Sequence, residues 1–230
     1  MDVEIMFKAF RWVFYYLVAI PILSTLDQIL FGLRIEGRDN LDKVSNAVVV
    51  CNHMHNLDST MIACALMPHR MNYATLDKTI KTPVSGLIVR VFSVPVGEDL
   101  KGRRSFMQNT SERLCRGEWF VVYPEGELIP YCSHLRPFKR GAFALAAKSG
   151  VPVVPVVITQ REPCGIYALY KSKPLLTVRI GEPVRLLDHL DEKENCEYLM
   201  DTAYERMAEM LDGDGTDMET LSHPAKGVRI

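Results

Sequence analysis

The residues best suited to chemistry lie in one heptapeptide, Asn52-His53-Met54-His55-Asn56-Leu57-Asp58. A carboxylate bonded to one nitrogen of an imidazole fixes its tautomer. The other nitrogen can then take a proton from a hydroxyl. His53 and Asp58 are five positions apart. On a straight helix that spacing would separate them by ~140° around the axis. They meet only across a turn, with Asp58 at the start of the following helix. A plainer reading of the same residues is an aspartate N-cap beside an unrelated histidine.

His53, His55 and Asp58 also invite a metal reading, as in a metal-dependent hydrolase. Dinuclear metallohydrolases use His-x-His-x-Asp-His. Here the aspartate falls one place late and the final histidine is absent. His69, His134, His189 and His223 have no partner at ligand spacing, so no metal is expected. A second group, Tyr123-Pro124-Glu125-Gly126-Glu127, follows an apolar run. Its Pro and Gly make a tight turn that can hold Glu125 out of a sheet. A third, Leu135-Arg136-Pro137-Phe138-Lys139-Arg140-Gly141, brings three cations to a helix start, which suits an anion. Arg103 and Arg104 add two more.

The elements that must position these groups follow from periodicity. Asn46–Cys51 is a short apolar β-branched run, the mark of a buried strand. Asp58 is placed to cap a helix over Ser59–Met67. Strands are expected at Met71–Leu76, Val91–Val96, Trp119–Tyr123, Val153–Ile158 and Leu175–Ile180. Helices are expected at Pro83–Arg90, Arg103–Arg116, Lys139–Ser149 and Glu194–Leu211. The alternation implies an α/β fold, a mixed, mostly parallel sheet flanked by helices. Residues 1–33 read as a membrane-associating helical segment, 34–211 as the catalytic domain and 212–230 as a polar tail.

From Trp12 to Leu26 there are fifteen uncharged residues, interrupted by Pro21. A membrane-spanning helix needs ~20 apolar residues. The run therefore fits an interfacial helical hairpin broken near Pro21, with Trp12, Tyr15 and Tyr16 at headgroup level. At 230 residues, 48% hydrophobic and 24% charged, the chain is neither disordered nor polytopic. Its six cysteines are scattered without a CxxC pair, as expected for free thiols. The net charge is −1, but residues 188–219 carry twelve acids and two bases. The rest is basic, which suits an anionic substrate or lipid rather than nucleic acid.

In order along the chain stand Asn52-His53-x4-Asp58, Tyr123-Pro124-Glu125-Gly126, Phe138-Lys139-Arg140-Gly141 and Val151-Pro152-Val153-Val154-Pro155-Val156. Together these blocks resemble the glycerolipid acyltransferase family, which includes the 1-acyl-sn-glycerol-3-phosphate acyltransferases. The resemblance implies the glycerol-3-phosphate acyltransferase-like fold over about residues 35–185. It implies that His53 is the general base and that Asp58 orients it. Glu125 and Gly126 would shape the acceptor site, and Pro155 would line the substrate pocket. Arg103, Arg104, Arg136, Lys139 and Arg140 are the candidate headgroup contacts.

The implied reaction moves a fatty acyl group from acyl-CoA or acyl-carrier protein to a lysophospholipid hydroxyl, lysophosphatidic acid first. Another lysolipid or hydroxylated lipid is the alternative acceptor. No cofactor is implied beyond the co-substrate, and the expected place is the cytoplasmic face of a membrane. Two positions depart from the family pattern. Gly97-Glu98-Asp99 stands where an arginine usually follows the strand, and Glu127-Leu128 replaces Thr-Arg after the Glu-Gly turn.

Overall fold

The computed structural model describes residues 14–76, 93–96 and 99–212. The helix expected at Pro83–Arg90 lies outside these residues, as do Trp12, Gly97, Glu98 and the tail beyond Asp212. The apolar β-branched runs become strands: β1 (Arg34–Glu36), β2 (Val48–Cys51), β3 (Met71–Leu76), β4 (Ser93–Val96), β5 (Trp119–Val122), β6 (Val153–Arg161) and β7 (Leu175–Ile180). Among the described residues they form one seven-stranded sheet in the order β1-β7-β6-β2-β5-β3-β4. The five strands from β6 to β4 are parallel neighbours, with Val49 of β2 opposite both Val121 and Val154. β7 runs antiparallel to β6, and β1 runs parallel to β7.

Both faces of the sheet are covered, which is why β2 is apolar at every position and fully buried. Val49 and Cys51 face a core built with α1 (Ile20–Phe31) and α2 (Asp58–Ala65). Val48 and Val50 face a second core under α3 (Leu100–Cys115), α4 (Gly141–Ser149) and α5 (Glu192–Asp212). Burying each of these valines contributes about 1.5–3 kcal/mol. The two cores together make a three-layer α/β unit.

Three expectations are revised. The N-terminal segment is not broken at Pro21. A π-helical turn over Tyr15–Ala19 passes directly into α1, with Pro21 in its first turn. The π turn falls just where the missing N–H and the ring of Pro21 would otherwise disturb the i→i−4 ladder. α4 begins at Gly141 rather than Lys139, because the Lys139 N–H donates to the Pro124 carbonyl at 2.8 Å. Leu57, not Asp58, occupies the N-cap of α2. All six cysteines are unpaired.

α1 ends at Gly32, whose φ of +52° closes the helix. A Cβ there would come within 3.1 Å of the Tyr167 ring. No described helix is long and apolar enough to cross a membrane.

Candidate active site

The end of β2 is pinned before the catalytic loop begins. Asn52 Nδ2 donates to the Ile158 carbonyl at 3.0 Å, and Oδ1 accepts from the Ile158 N–H at 2.8 Å. One side chain thereby extends the ladder between β2 and β6. The chain then turns, and Asp58 enters α2 completely buried. Its Oδ2 accepts from His53 Nδ1 at 2.8 Å, from the Met54 N–H at 2.8 Å and from the His55 N–H at 3.0 Å. The Asp58 carboxylate therefore caps the loop preceding α2 rather than the helix. That reversal is why Leu57 takes the N-cap, and why residues five apart can meet.

Nδ1 of His53 donates to this carboxylate, so Nε2 is the nitrogen left to accept a proton. The imidazole lies flat on the Tyr123 ring, with centroids 4.1 Å apart and planes 15° apart. The Tyr123 hydroxyl lies 3.2 Å from Ser59 Oγ on α2. Burial pushes its pKa well above the usual phenol range, so it stays protonated and serves as a wall. His55 takes no part in the pair. Its Nδ1 accepts from the Leu57 N–H at 3.1 Å, and its ring packs against Phe31 and Tyr131. Burial lowers its pKa, which favours the neutral ring that this acceptor bond requires. Among the described residues no group of three His, Cys, Asp or Glu is arranged to hold a metal.

Glu125 is buried and joins two loops. Oε2 accepts from the His53 N–H at 3.2 Å and from Arg136 Nη2 at 2.5 Å, while Oε1 accepts from the Arg136 N–H at 3.2 Å. Arg136 also donates to the Glu127 carbonyl. The arginine expected at the headgroup is thus a strut, held by a carboxylate whose burial demands a charged partner. The 123–136 loop further clasps the catalytic loop through Ile129 N–H to the His53 carbonyl at 3.2 Å and Tyr131 N–H to the Met54 carbonyl at 3.0 Å. Gly126 has φ +77°, and a Cβ there would meet the tip of the Lys139 side chain. The positive φ is what requires glycine at that turn, since the lysine tip can swing aside.

The other expected residues are spread more widely. Arg140 is exposed and pairs with Glu197 of α5 at 3.1 Å. Pro155 is buried in mid-strand opposite Val50, on the face covered by α5. Arg104 is exposed on α3. Arg103 falls in the first turn of α3, with its side chain outside the described part. Further along the same helix stand Phe106 and Met107.

Those two residues belong to a feature that no motif in the sequence marks. They join Ala74, Val122, Tyr123, Pro124, Ala142 and Leu145 around a groove of about 340 Å³, with Lys139 as the charged residue of the lining. Tyr123 is shared between this groove and the stack on His53. The helical spacing of Phe106, Met107 and Thr110 was the available signal, but it does not say which sheet strand lies opposite.

An imidazole–carboxylate pair on loops at the carboxyl edge of a parallel sheet, beside an apolar groove, defines a site for moving protons in an apolar substrate. The Acyltransferase family profile matches residues 32–159, more than half of the chain, and the chain belongs to that family. It is 24% identical over 182 residues to the 1-acyl-sn-glycerol-3-phosphate acyltransferase of Bacillus subtilis, covering 78% of this chain and 88% of that one. It is 34% identical over 132 residues to the human 1-acyl-sn-glycerol-3-phosphate acyltransferase beta, covering 55% of this chain and 47% of that one. The chain thus spans most of the bacterial relative and about half of the human one. The crystal structure of the 1-acyl-sn-glycerophosphate acyltransferase PlsC from Thermotoga maritima shares the fold. The TM-score is 0.60 at 23% identity, over 83% of this chain and 79% of that one.

Proposed function

We propose that this acyltransferase moves a fatty acyl group from a thioester to the free hydroxyl of lysophosphatidic acid, giving phosphatidic acid. The observation that carries the reading is the 2.8 Å contact between His53 Nδ1 and buried Asp58, set beside the apolar groove. The names of the relatives supply the acceptor. Acyl-CoA or acyl-carrier protein is the donor.

His53 Nε2 takes the proton of the acceptor hydroxyl as its oxygen attacks the thioester carbonyl. The pair with Asp58 stabilises the imidazolium that forms. Collapse of the tetrahedral intermediate expels the thiolate, which takes the same proton from the imidazolium. The new ester and the free thiol leave, and no covalent enzyme intermediate forms. The acyl chain lies in the groove, whose volume is in the range of small-molecule sites. Lys139 meets the acceptor phosphate, and Glu125 holds the loop to which His53 belongs. Arg104 and Arg140, which are exposed, contribute charge rather than contact. α1 lies in the interface of the membrane, at its cytoplasmic face.

The test is thiol release by purified protein, with acyl-CoA and with acyl-carrier protein, against a panel of lysolipids. Release is expected to need lysophosphatidic acid and to fall at least ~10³-fold in His53→Ala. Equal release from the variant would sink the base assignment. Release with a different lysolipid alone would replace the acceptor.

A further inference from the structure

Strand directions bring several connections to one edge of the sheet. β2, β5 and β6 are parallel, so residues 52–57, 123–140 and 162–174 all leave on the same side. β7 runs against β6 and β1 runs with β7. The end of α1 that leads into β1 therefore lies at that side too. There the β6–β7 connection is moored to α1. The Tyr167 hydroxyl donates to the Gln28 carbonyl at 2.6 Å. Lys171 donates to the Leu30 carbonyl, and Arg161 to the Gly32 carbonyl.

This connection holds out its apolar side chains. Its 3₁₀ turn, Gly165–Leu169, buries no residue. Ile166, Leu169 and Tyr170 are 69%, 84% and 60% exposed. A turn tied down by Tyr167, with Arg161 and Lys171 moored on its two flanks, has no conformational reason to present these groups to water. Lys171 and Lys173 follow them in sequence, and Glu162 is the one acid of the connection. Next to it, α1 exposes Ile22, Leu26 and Leu30 at four-residue spacing, and the π turn before it exposes Val18. Apolar tips with tyrosines and lysines at their base suit the boundary between headgroups and acyl chains.

We propose that the Gly165–Tyr170 turn is a second membrane-docking element, entering the lipid interface together with α1 while Lys171 and Lys173 meet anionic headgroups. It rests on the reading of α1 as interfacial and deepens it. A single helix can roll about its axis on a bilayer. A second contact off that axis stops the roll and holds one edge of the sheet toward the lipid. That edge carries the catalytic loop. Lys173 Nζ lies 5.8 Å from the Tyr131 ring centroid, and that ring packs against His55.

The test uses the full chain with vesicles of phosphatidylcholine, with and without phosphatidylglycerol, in a sedimentation assay. Ile166→Ser/Leu169→Ser/Tyr170→Ser is expected to lower the vesicle partition coefficient ~10-fold or more. Its circular dichroism melt should match the parent. In a separate variant, Leu169→Trp should add fluorescence that shifts to the blue on vesicles and is quenched by brominated lipid. This second readout decides the matter if the triple variant misfolds. Wild-type-like partitioning of the triple variant, or no lipid quenching in Leu169→Trp, overturns the proposal. If Leu26→Ser/Leu30→Ser is nonetheless released, the role of α1 survives alone. A parent chain that never sediments with vesicles overturns both readings. A blue shift already present without lipid, matched by a dimer in sedimentation velocity, assigns the turn to self-association and overturns it as well.

Discussion

At the scale of single residues, one oxygen does most of the positioning. Asp58 Oδ2 accepts from His53 Nδ1 and from two backbone N–H groups. Asp58→Asn keeps an acceptor but can turn its amide toward the imidazole and favour the wrong tautomer. Thiol-release assays should show kcat falling ~10²- to 10⁴-fold with little change in KM. An unchanged kcat would leave Asp58 as a loop cap only. Arg136 makes a contrasting case. It looked like a substrate cation in sequence, yet it neutralises Glu125 beneath the catalytic loop. Arg136→Ala strands a buried carboxylate, so denaturant unfolding should show a loss of ~3–5 kcal/mol. A loss below ~1 kcal/mol would mean that Glu125 is satisfied by other donors.

At the scale of elements, α1 and α2 meet over a carboxyl group. Asp27 is buried there, with Oδ1 accepting from Thr60 Oγ1 at 3.0 Å. Burial raises its pKa from 3.8 to about 6. The folded chain thus binds this proton more tightly than the unfolded chain, and stability from this group is fully present below pH 4 and lost as pH rises toward 6. Asp27→Asn should remove that slope and add ~1–2 kcal/mol at neutral pH, measured by denaturant unfolding across pH. A parent whose stability does not change between pH 4 and 6 would refute it. On the opposite face, Ala74→Leu intrudes on the groove. It should cut kcat/KM for long acyl donors ~10-fold or more while sparing short ones, since a methylene or two in a pocket is worth ~1–3 kcal/mol. Equal loss at all chain lengths would place the acyl chain elsewhere.

The sequence disclosed these elements unevenly. The valine runs of β2 and β6 are dense enough to mark buried strands, and the Gly150 stop of α4 is local. The short β1 carries two charges in three residues and gives no apolar signal. The antiparallel return of β7 depends on a partner far along the chain. The His53–Asp58 pair was legible because chemistry restricts the residue types that can form it. The role of Arg136 was not, because a buried strut and a surface cation have the same letter. Phe106 and Met107 were likewise unreadable as groove walls until β3 and β5 were set opposite them.

At the scale of the whole molecule, one sheet edge gathers everything the proposed reaction uses. Removing residues 1–33 should release the protein from vesicles in co-sedimentation. It should also weaken turnover of a water-soluble short-chain acceptor, because Phe31 and Leu33 belong to the main core and Phe31 packs on His55. A truncated chain with full activity would show that α1 serves only as an anchor. The loops at this edge also differ from ordinary loops in one respect. The backbone N–H groups of His53, Met54, His55 and Arg136 all point at buried carboxylates. Deuterium should therefore enter these amides almost as slowly as it enters β2, in contrast to the exposed turn at 165–169. Loss of Glu125 should speed the clocks of His53 and Arg136 together while leaving Met54 slow, so labelling would read out the stiffness of each half of the site without any substrate.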